Sequence, residues 1–347
     1  MKLIDYDYAL PKELIAQFPI SPRHDAKLLD YSGKKIIDKK VFDLPDILSK
    51  NDLIVINNTK VIPSKVYGSI NNKNIIITFH KSINNFKWLA FAKPSKILSD
   101  GDEINFDGFK GVIKKINKYG EVEIFLNINF KNLTNKLFEI GQMPLPPYIK
   151  RTKIDKNDFS DYQTYFAKKV GSVASPTAGL HFTKELIENL ILKNIKISEV
   201  TLHVGAGTFL PIRNDDVSKH VMHDEWGNVS QDLINDIKNC KRNGGRVIAV
   251  GTTSLRVLES AFYKTHSLKP FSGMTNIFIK PGIKINTVDL LLTNFHMPKS
   301  TLLILIHAFA GKKNVKDIYN HAIKNLYRFY SYGDCCLIRN FNETFSV

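Results

Sequence analysis

The 347-residue chain holds only three cysteines, Cys240 and the adjacent Cys335 and Cys336. That set provides neither a disulfide framework nor a C-x-x-C redox or metal pair, and it points to a reducing compartment. Long apolar runs are missing as well. The longest, Leu302 to Ala310, contains His307 and falls far short of the roughly 20 residues that span a bilayer. Asp5 and Asp7 interrupt the N-terminus where a secretory signal needs an apolar stretch, so a cytoplasmic protein without membrane contact is expected. No G-x-x-x-x-G-K-S/T phosphate loop, G-x-S-x-G elbow or kinase signature is present, which leaves nucleotide triphosphatase, esterase and kinase chemistry without support. Acidic charge is also scarce. Against 49 Lys+Arg stand 33 Asp+Glu, a net +16 that attracts polyanions such as RNA, although lysine is used freely along the whole chain.

What is present suffices for a globular protein. The chain is 43% hydrophobic and 11% aromatic, enough buried apolar surface to exclude wholesale disorder. At about 150 residues per domain, the length predicts roughly two domains or one with a large insertion. Asp52 to Asn57 reads as a buried strand. From about residue 62 the texture changes to short β-rich runs: Lys65 to Ile70, Asn74 to Phe79, Lys87 to Ala92, Gly111 to Ile116 and Val122 to Leu126. Turn signals at Asn71-Asn72, Asn84-Asn85, Asp100-Gly101, Asp107-Gly108 and Tyr119-Gly120 separate them, as in antiparallel hairpins that close into a small barrel. The stiff segment Met143 to Tyr148 marks the return. Helix and strand then alternate: a helix from Thr183 to Lys193 capped by Thr183, a strand from Ile197 to Val204, a helix from Gln231 to Lys241, strands at Arg246 to Val250 and Leu290 to Thr293, and a helix starting at Ser300 or Thr301. The expected architecture is an α/β barrel-like main domain, residues 1–61 and 153–347, interrupted by an inserted antiparallel β-barrel domain, residues 62–152.

Ligand sites in α/β domains lie at the carboxyl ends of strands, so the loops after strands carry the functional reading. Gly171 to Phe182 is rich in small residues and holds Thr177 and His181. His203 precedes Gly205-Ala206-Gly207-Thr208, a partial Gly-x-Gly turn that lacks the third glycine of a dinucleotide fingerprint. Gly251-Thr252-Thr253-Ser254 joins a strand to the helix carrying Arg256, and hydroxyls with helix N-terminal amides favour an anionic group. His220 to Trp226 gathers imidazoles, carboxylates and an indole, without the companion ligands a metal site needs. Asn294 to Thr301 places an amide, His296 and Lys299 between a strand and a helix. For each there is a plain alternative: a packed core histidine, an ordinary helix cap or a solvated lysine.

Several long segments in one order carry more than any of these alone. They are Phe18-Pro19 with Arg23, Asn57 to Pro63, Pro144 to Arg151, Tyr162 to Tyr165, Ser175 to Thr183, Leu202 to Phe209, Met222 to Trp226, Val250 to Arg256, Thr293 to Leu303 and Tyr327 to Asp334. On these the chain resembles the S-adenosylmethionine:tRNA ribosyltransferase-isomerase family of the queuosine pathway, nearly end to end. Asn58 and Lys60 stand where that pattern has Asp and Arg, Ser175 where it has Ala, and Asp224 where it has Ser. The resemblance implies an α/β domain interrupted by a β-barrel. It also implies transfer of the ribosyl group of S-adenosylmethionine to 7-aminomethyl-7-deazaguanine at the tRNA wobble position, with rearrangement to the epoxycyclopentanediol of epoxyqueuosine. Adenine and methionine leave, so S-adenosylmethionine is a consumed substrate and no metal or redox cofactor is implied.

On that reading His181, His203, His223 and Glu225 form the acid/base set. Thr177, Gly205, Gly207, Thr208, Thr252, Thr253 and Arg256 hold the nucleoside and methionine parts, while Asn294 and His296 read the deazaguanine edge. Phe295 or Trp226 is expected to stack on a base, and Lys60, Lys150, Arg151 and Lys299 to contact the tRNA backbone. The protein is expected to act as a monomer. The alternatives are an S-adenosylmethionine-dependent RNA methyltransferase and a non-catalytic tRNA-binding protein.

Overall fold

The computed structural model describes residues 1–33, 35–115, 121–205, 207, 212 and 214–341. In chain order its strands are β1 (Lys27–Tyr31), β2 (Ile37–Lys40), β3 (Leu53–Asn57), β4 (Thr59–Val61), β5 (Lys65–Ile70), β6 (Lys73–Ser82), β7 (Lys87–Lys93), β8 (Glu103–Phe106) and β9 (Phe109–Lys115). They continue with β10 (Glu121–Leu126), β11 (Lys169–Ser172), β12 (Lys196–Leu202), β13 (Glu225–Val229), β14 (Val247–Val250), β15 (Phe271–Thr275), β16 (Leu290–Asn294) and β17 (Cys335–Arg339).

Parallel strands buried on both faces read as unbroken apolar runs, and β3 shows why. Its Leu53 and Val55 enter one apolar layer and its Ile54 and Ile56 the other. The same alternation sends Cys336 to the first layer and Cys335 to the second, so both thiols are core filling, and burial pushes the Cys336 thiol up to about 12. These strands belong to one mixed sheet of nine, in the order β15-β13-β12-β3-β14-β16-β17-β1-β2. This part of the fold is α/β as expected, a large sheet with β15 and β2 at the ends of its strand order. Within it β12, β3, β14 and β16 lie parallel side by side, which gathers their carboxyl ends on one edge.

Helices cover both faces. Gln231–Arg242, Gly251–Tyr263, Thr301–Ala310 and Lys312–Lys324 pack against the first layer, and Lys184–Leu192 against the second. Thr183 Oγ1 and Ser300 Oγ accept the Leu186 and Leu303 amides at 3.2 and 3.1 Å, the capping expected of both residues. No helix among the described residues is long and apolar enough to cross a membrane.

The inserted unit is a closed antiparallel barrel in the order β10-β7-β6-β5-β8-β9. Asn71 and Asn72, at φ 47° and 63°, make the tight turn between β5 and β6. The helix Phe130–Ile140, not singled out in the sequence, presents Leu133 and Leu137 to the barrel's apolar core. Beside the main sheet, β4 pairs in parallel with β11, a ribbon that precedes the barrel on one side and follows the return segment on the other.

Candidate active site

The chain turns from β14 straight into a helix at Gly251, whose φ of +85° lies in the left-handed region that glycine tolerates. That helix has no side-chain cap, and its first residues, Gly251, Thr252 and Thr253, line a cleft at the carboxyl edge of the sheet. Its unbonded amides and dipole favour an oxygen-rich or anionic group there. Ser254 Oγ donates back to Val250 O at 2.8 Å, whereas Thr253 Oγ1 has no partner among the described residues. Ser175 Oγ, on the same cleft, is likewise buried without a partner.

Opposite them stands Asn294, at the end of β16. Its Oδ1 accepts from Thr177 Oγ1 at 2.9 Å, and its Nδ2 lies 3.3 Å from His181 Nε2. Desolvation pushes the pKa of His181 down to about 4, which keeps a neutral imidazole as the acceptor of that contact. His296 Nε2 lies 2.9 Å from Thr293 Oγ1, and desolvation lowers its pKa to about 3. This half of the site is therefore uncharged, built of hydroxyls, amides and neutral imidazoles that suit the edge of a base or nucleoside.

The other half is ionic. Glu225 opens β13 with both carboxylate oxygens engaged: Gly205 N–H donates to Oε1 at 2.9 Å, and Arg256 Nη1 donates to Oε2. Only 5% of Glu225 and 4% of Arg256 is exposed. Arg256 Nε and Nη2 have no partner among the described residues, so one edge of a buried guanidinium is unpaired there. A buried donor without an acceptor is costly, and the fork of that edge matches a carboxylate. With a hydrogen bond to each oxygen, Glu225 anchors both Arg256 and the Gly205 amide. Gly207 is needed for room, since a side-chain carbon there would run into the His223 ring. Thr208 lies outside the described residues.

His203 sits between the halves. Its Nδ1 is 2.8 Å from Thr59 Oγ1, and its ring stacks on Trp226 with centroids 5.2 Å apart at 23°. Gly171 closes the third side, because a side-chain carbon there would lie 2.6 Å from His203 Nε2. Burial lowers its pKa, so the imidazole is a neutral base fixed in orientation. Next along the chain, Val204 lines the neutral cleft, and its N–H donates to Ser172 Oγ at 2.7 Å. Asn57 holds the neighbouring strand end in place: its Nδ2 donates to Leu202 O and its Oδ1 accepts the Leu202 amide, both at 3.0 Å.

The remaining sequence-derived residues divide. Lys60, one residue from Thr59, lies over the Phe138 ring at 5.2 Å. Lys150 is exposed beside the return segment. Arg151 turns inward: its guanidinium clamps Asp158, with Nη2 to Oδ1 at 2.8 Å, and its Nη1 donates to Gln17 O at 2.9 Å. Lys299 pairs with Asp7 at 2.7 Å. Phe295 is fully buried among Tyr319, Tyr327 and Phe329 and cannot stack on a base, whereas Trp226 is 37% exposed. Sequence reasoning missed Thr59, Tyr148, Ser175 and Ser331 as site residues; the last three line the cleft, and Tyr148 OH and Ser331 Oγ lie 2.7 Å apart. Among the described residues no group of three or more His, Cys, Asp or Glu side chains is placed to hold a metal ion.

Comparison with known proteins gives this edge its context. The sequence profile of the queuosine biosynthesis protein family matches residues 3–338. The S-adenosylmethionine:tRNA ribosyltransferase-isomerase of Caulobacter vibrioides strain NA1000 is 43% identical over 361 residues, covering 97% of this chain and 98% of its own. The protein of the same description from Mesorhizobium japonicum is 45% identical over 354 residues, with 97% and 98% covered. The crystal structure of S-adenosylmethionine tRNA ribosyltransferase from Thermotoga maritima is 30% identical, with a TM-score of 0.55 over 96% of this chain and 99% of that one. Matched by the profile and by these relatives over nearly its whole length, the chain belongs to the queuosine biosynthesis protein family.

Proposed function

We propose that this chain moves the ribosyl group of S-adenosylmethionine onto the aminomethyl group of 7-aminomethyl-7-deazaguanine at the tRNA wobble position. It isomerises that group to the epoxycyclopentanediol of epoxyqueuosine and releases adenine and methionine. The observation that carries the reading is the meeting, on one sheet edge, of a neutral set of hydroxyl, amide and imidazole donors and acceptors with a buried guanidinium whose Nε and Nη2 are unpaired among the described residues, in a chain of this family. A sulfonium acidifies the C5′ protons of its sugar, so a moderate base is enough. His203 fits that task, being neutral and held by Thr59 and Trp226. His181 and His223 complete the acid/base group. The open edge of Arg256 takes the methionyl carboxylate, and Glu225 with Gly205 fixes it in place. Thr177, Thr252, Thr253, Asn294 and His296 hold the nucleoside and deazaguanine edges, and Gly207 and Thr208 belong to the same substrate-binding set. S-adenosylmethionine is a consumed substrate in this scheme. Residues 62–152 are the inserted unit, residues 1–61 and 153–347 the catalytic one, and the protein works as a cytoplasmic monomer.

The test is chromatography of a reaction containing purified protein, S-adenosylmethionine and tRNA carrying 7-aminomethyl-7-deazaguanine. Adenine and methionine appearing together, only with the modified tRNA, is the expected result. S-adenosylhomocysteine in their place makes the protein a methyltransferase, and tRNA binding without turnover makes it a binding protein.

A further inference from the structure

A second concave surface begins where the cleft ends. Tyr148 lines both the cleft and a groove of about 960 Å³ between the N-terminal segment and the return segment after residue 148. Four exposed lysines border this groove, Lys12, Lys150, Lys153 and Lys156, against two acids, Glu13 and Asp155. None of the four lysines has an ion-pair partner among the described residues, unlike Lys299, which pairs with Asp7. The floor is rigid. Gln17 Nε2 donates to Tyr148 O at 3.0 Å, the Lys150 amide donates to Gln17 Oε1 at 2.8 Å, and Arg151 is locked on Asp158 beneath the Phe18 ring. Phe18 and Ile154 are 55% and 69% exposed on the same surface.

Unpaired cations on a fixed floor, with exposed apolar groups among them, are the features that hold a single-stranded or looped nucleic acid: phosphates on the lysines, bases on the apolar groups. We infer that this groove seats the RNA backbone flanking the reacting nucleotide, and that Tyr148 marks the point where the flanking strand passes into the cleft. The inference rests on the proposed tRNA substrate. It assigns the RNA contact to Lys12, Lys150, Lys153 and Lys156, and it withdraws Arg151 and Lys299, whose charges are already used within the protein.

The experiment compares the full-length protein with a Lys12→Gln/Lys153→Gln/Lys156→Gln variant and with a control, Lys50→Gln/Lys238→Gln/Lys316→Gln, which removes the same charge from exposed positions outside the groove. The probe is an unmodified anticodon stem-loop RNA, and its affinity is measured from 0.05 to 1 M salt, concentrations on the order used to resolve counterion release. Three lost phosphate contacts lower the slope of log affinity against log salt by about 2, and weaken binding at about 0.1 M salt by roughly ten- to a hundred-fold, with convergence near 1 M. The control keeps the wild-type slope. With modified tRNA, the groove variant raises KM and leaves kcat unchanged. Equal slopes in the wild type, groove variant and control, with wild-type RNA binding and adenine release intact, overturn the groove and spare the proposed reaction. A wild-type protein that binds no RNA and releases no adenine overturns both.

Discussion

The two halves of the candidate site follow opposite electrostatic plans. Around Asn294 the contacts are between neutral groups: Thr177 and His181 meet its side chain, and Thr293 meets His296. Around Glu225 everything is ionic, and the pair it forms with Arg256 is buried as deeply as core residues are. The difference teaches what each half can tolerate. A neutral network loses one hydrogen bond when a member is removed, on the order of 1 kcal/mol. A buried ion pair that loses one partner leaves an uncompensated charge, which costs about 3–5 kcal/mol.

The largest effect is therefore expected at Arg256. Arg256→Met should lower unfolding free energy by about 3–5 kcal/mol and abolish adenine release. Adding Glu225→Gln should restore much of the stability in denaturant titrations without restoring turnover, which separates the packing role from the ligand role. Next comes His203, between the halves. His203→Ala should cut kcat by about 10²–10⁴ with the fold intact, and Thr59→Val by roughly ten-fold through loss of the Nδ1 contact. An undiminished rate in His203→Ala removes it as the base.

The neutral half has its own signature in pH. His181 titrates near 6.5 when unfolded and at about 4 in the fold, so the unfolded chain binds more protons between those values. The His181 contribution should be intact above pH 6.5 and fall by up to about 3 kcal/mol as the pH drops toward 4, and His181→Asn should make the limb shallower by that share in denaturation midpoints measured across the range, leaving the shares of His296 and His307. Smallest of all is Ser175→Ala. Its Oγ has no partner in the unliganded fold, so stability should change by less than about 0.5 kcal/mol, while KM for S-adenosylmethionine rises several-fold. An unchanged KM means that the hydroxyl does not meet the ligand.

Much of this was legible in the sequence, and the reason for the rest is distance along the chain. The barrel strands β5, β6 and β7 pair with chain neighbours, and turns such as Asn71-Asn72 announce them locally. Thr177, Thr252, Thr253, Asn294 and His296 line one cleft, a grouping legible in the sequence because the loops that follow strands of an α/β sheet gather on one edge. Three things were hidden. The helix Phe130–Ile140 shows only Leu133 and Leu137 on a polar background of lysine and asparagine. The partner of Glu225 arrives from a helix 31 residues away, so its ion pair with Arg256 leaves no local pattern beside the histidines. Thr59 reaches His203 across 144 residues, a contact set by the β4 and β11 ribbon and by no local pattern.

The central claim is that the sugar, and not the methyl group, leaves S-adenosylmethionine for the RNA. The most direct test uses S-adenosylmethionine labelled with ¹³C throughout its ribose, followed by mass analysis of nucleosides from the digested modified tRNA. The account predicts that the full ribose label enters the wobble nucleoside while free adenine is unlabelled. Label retained in S-adenosylhomocysteine, or absent from the RNA after turnover, contradicts it.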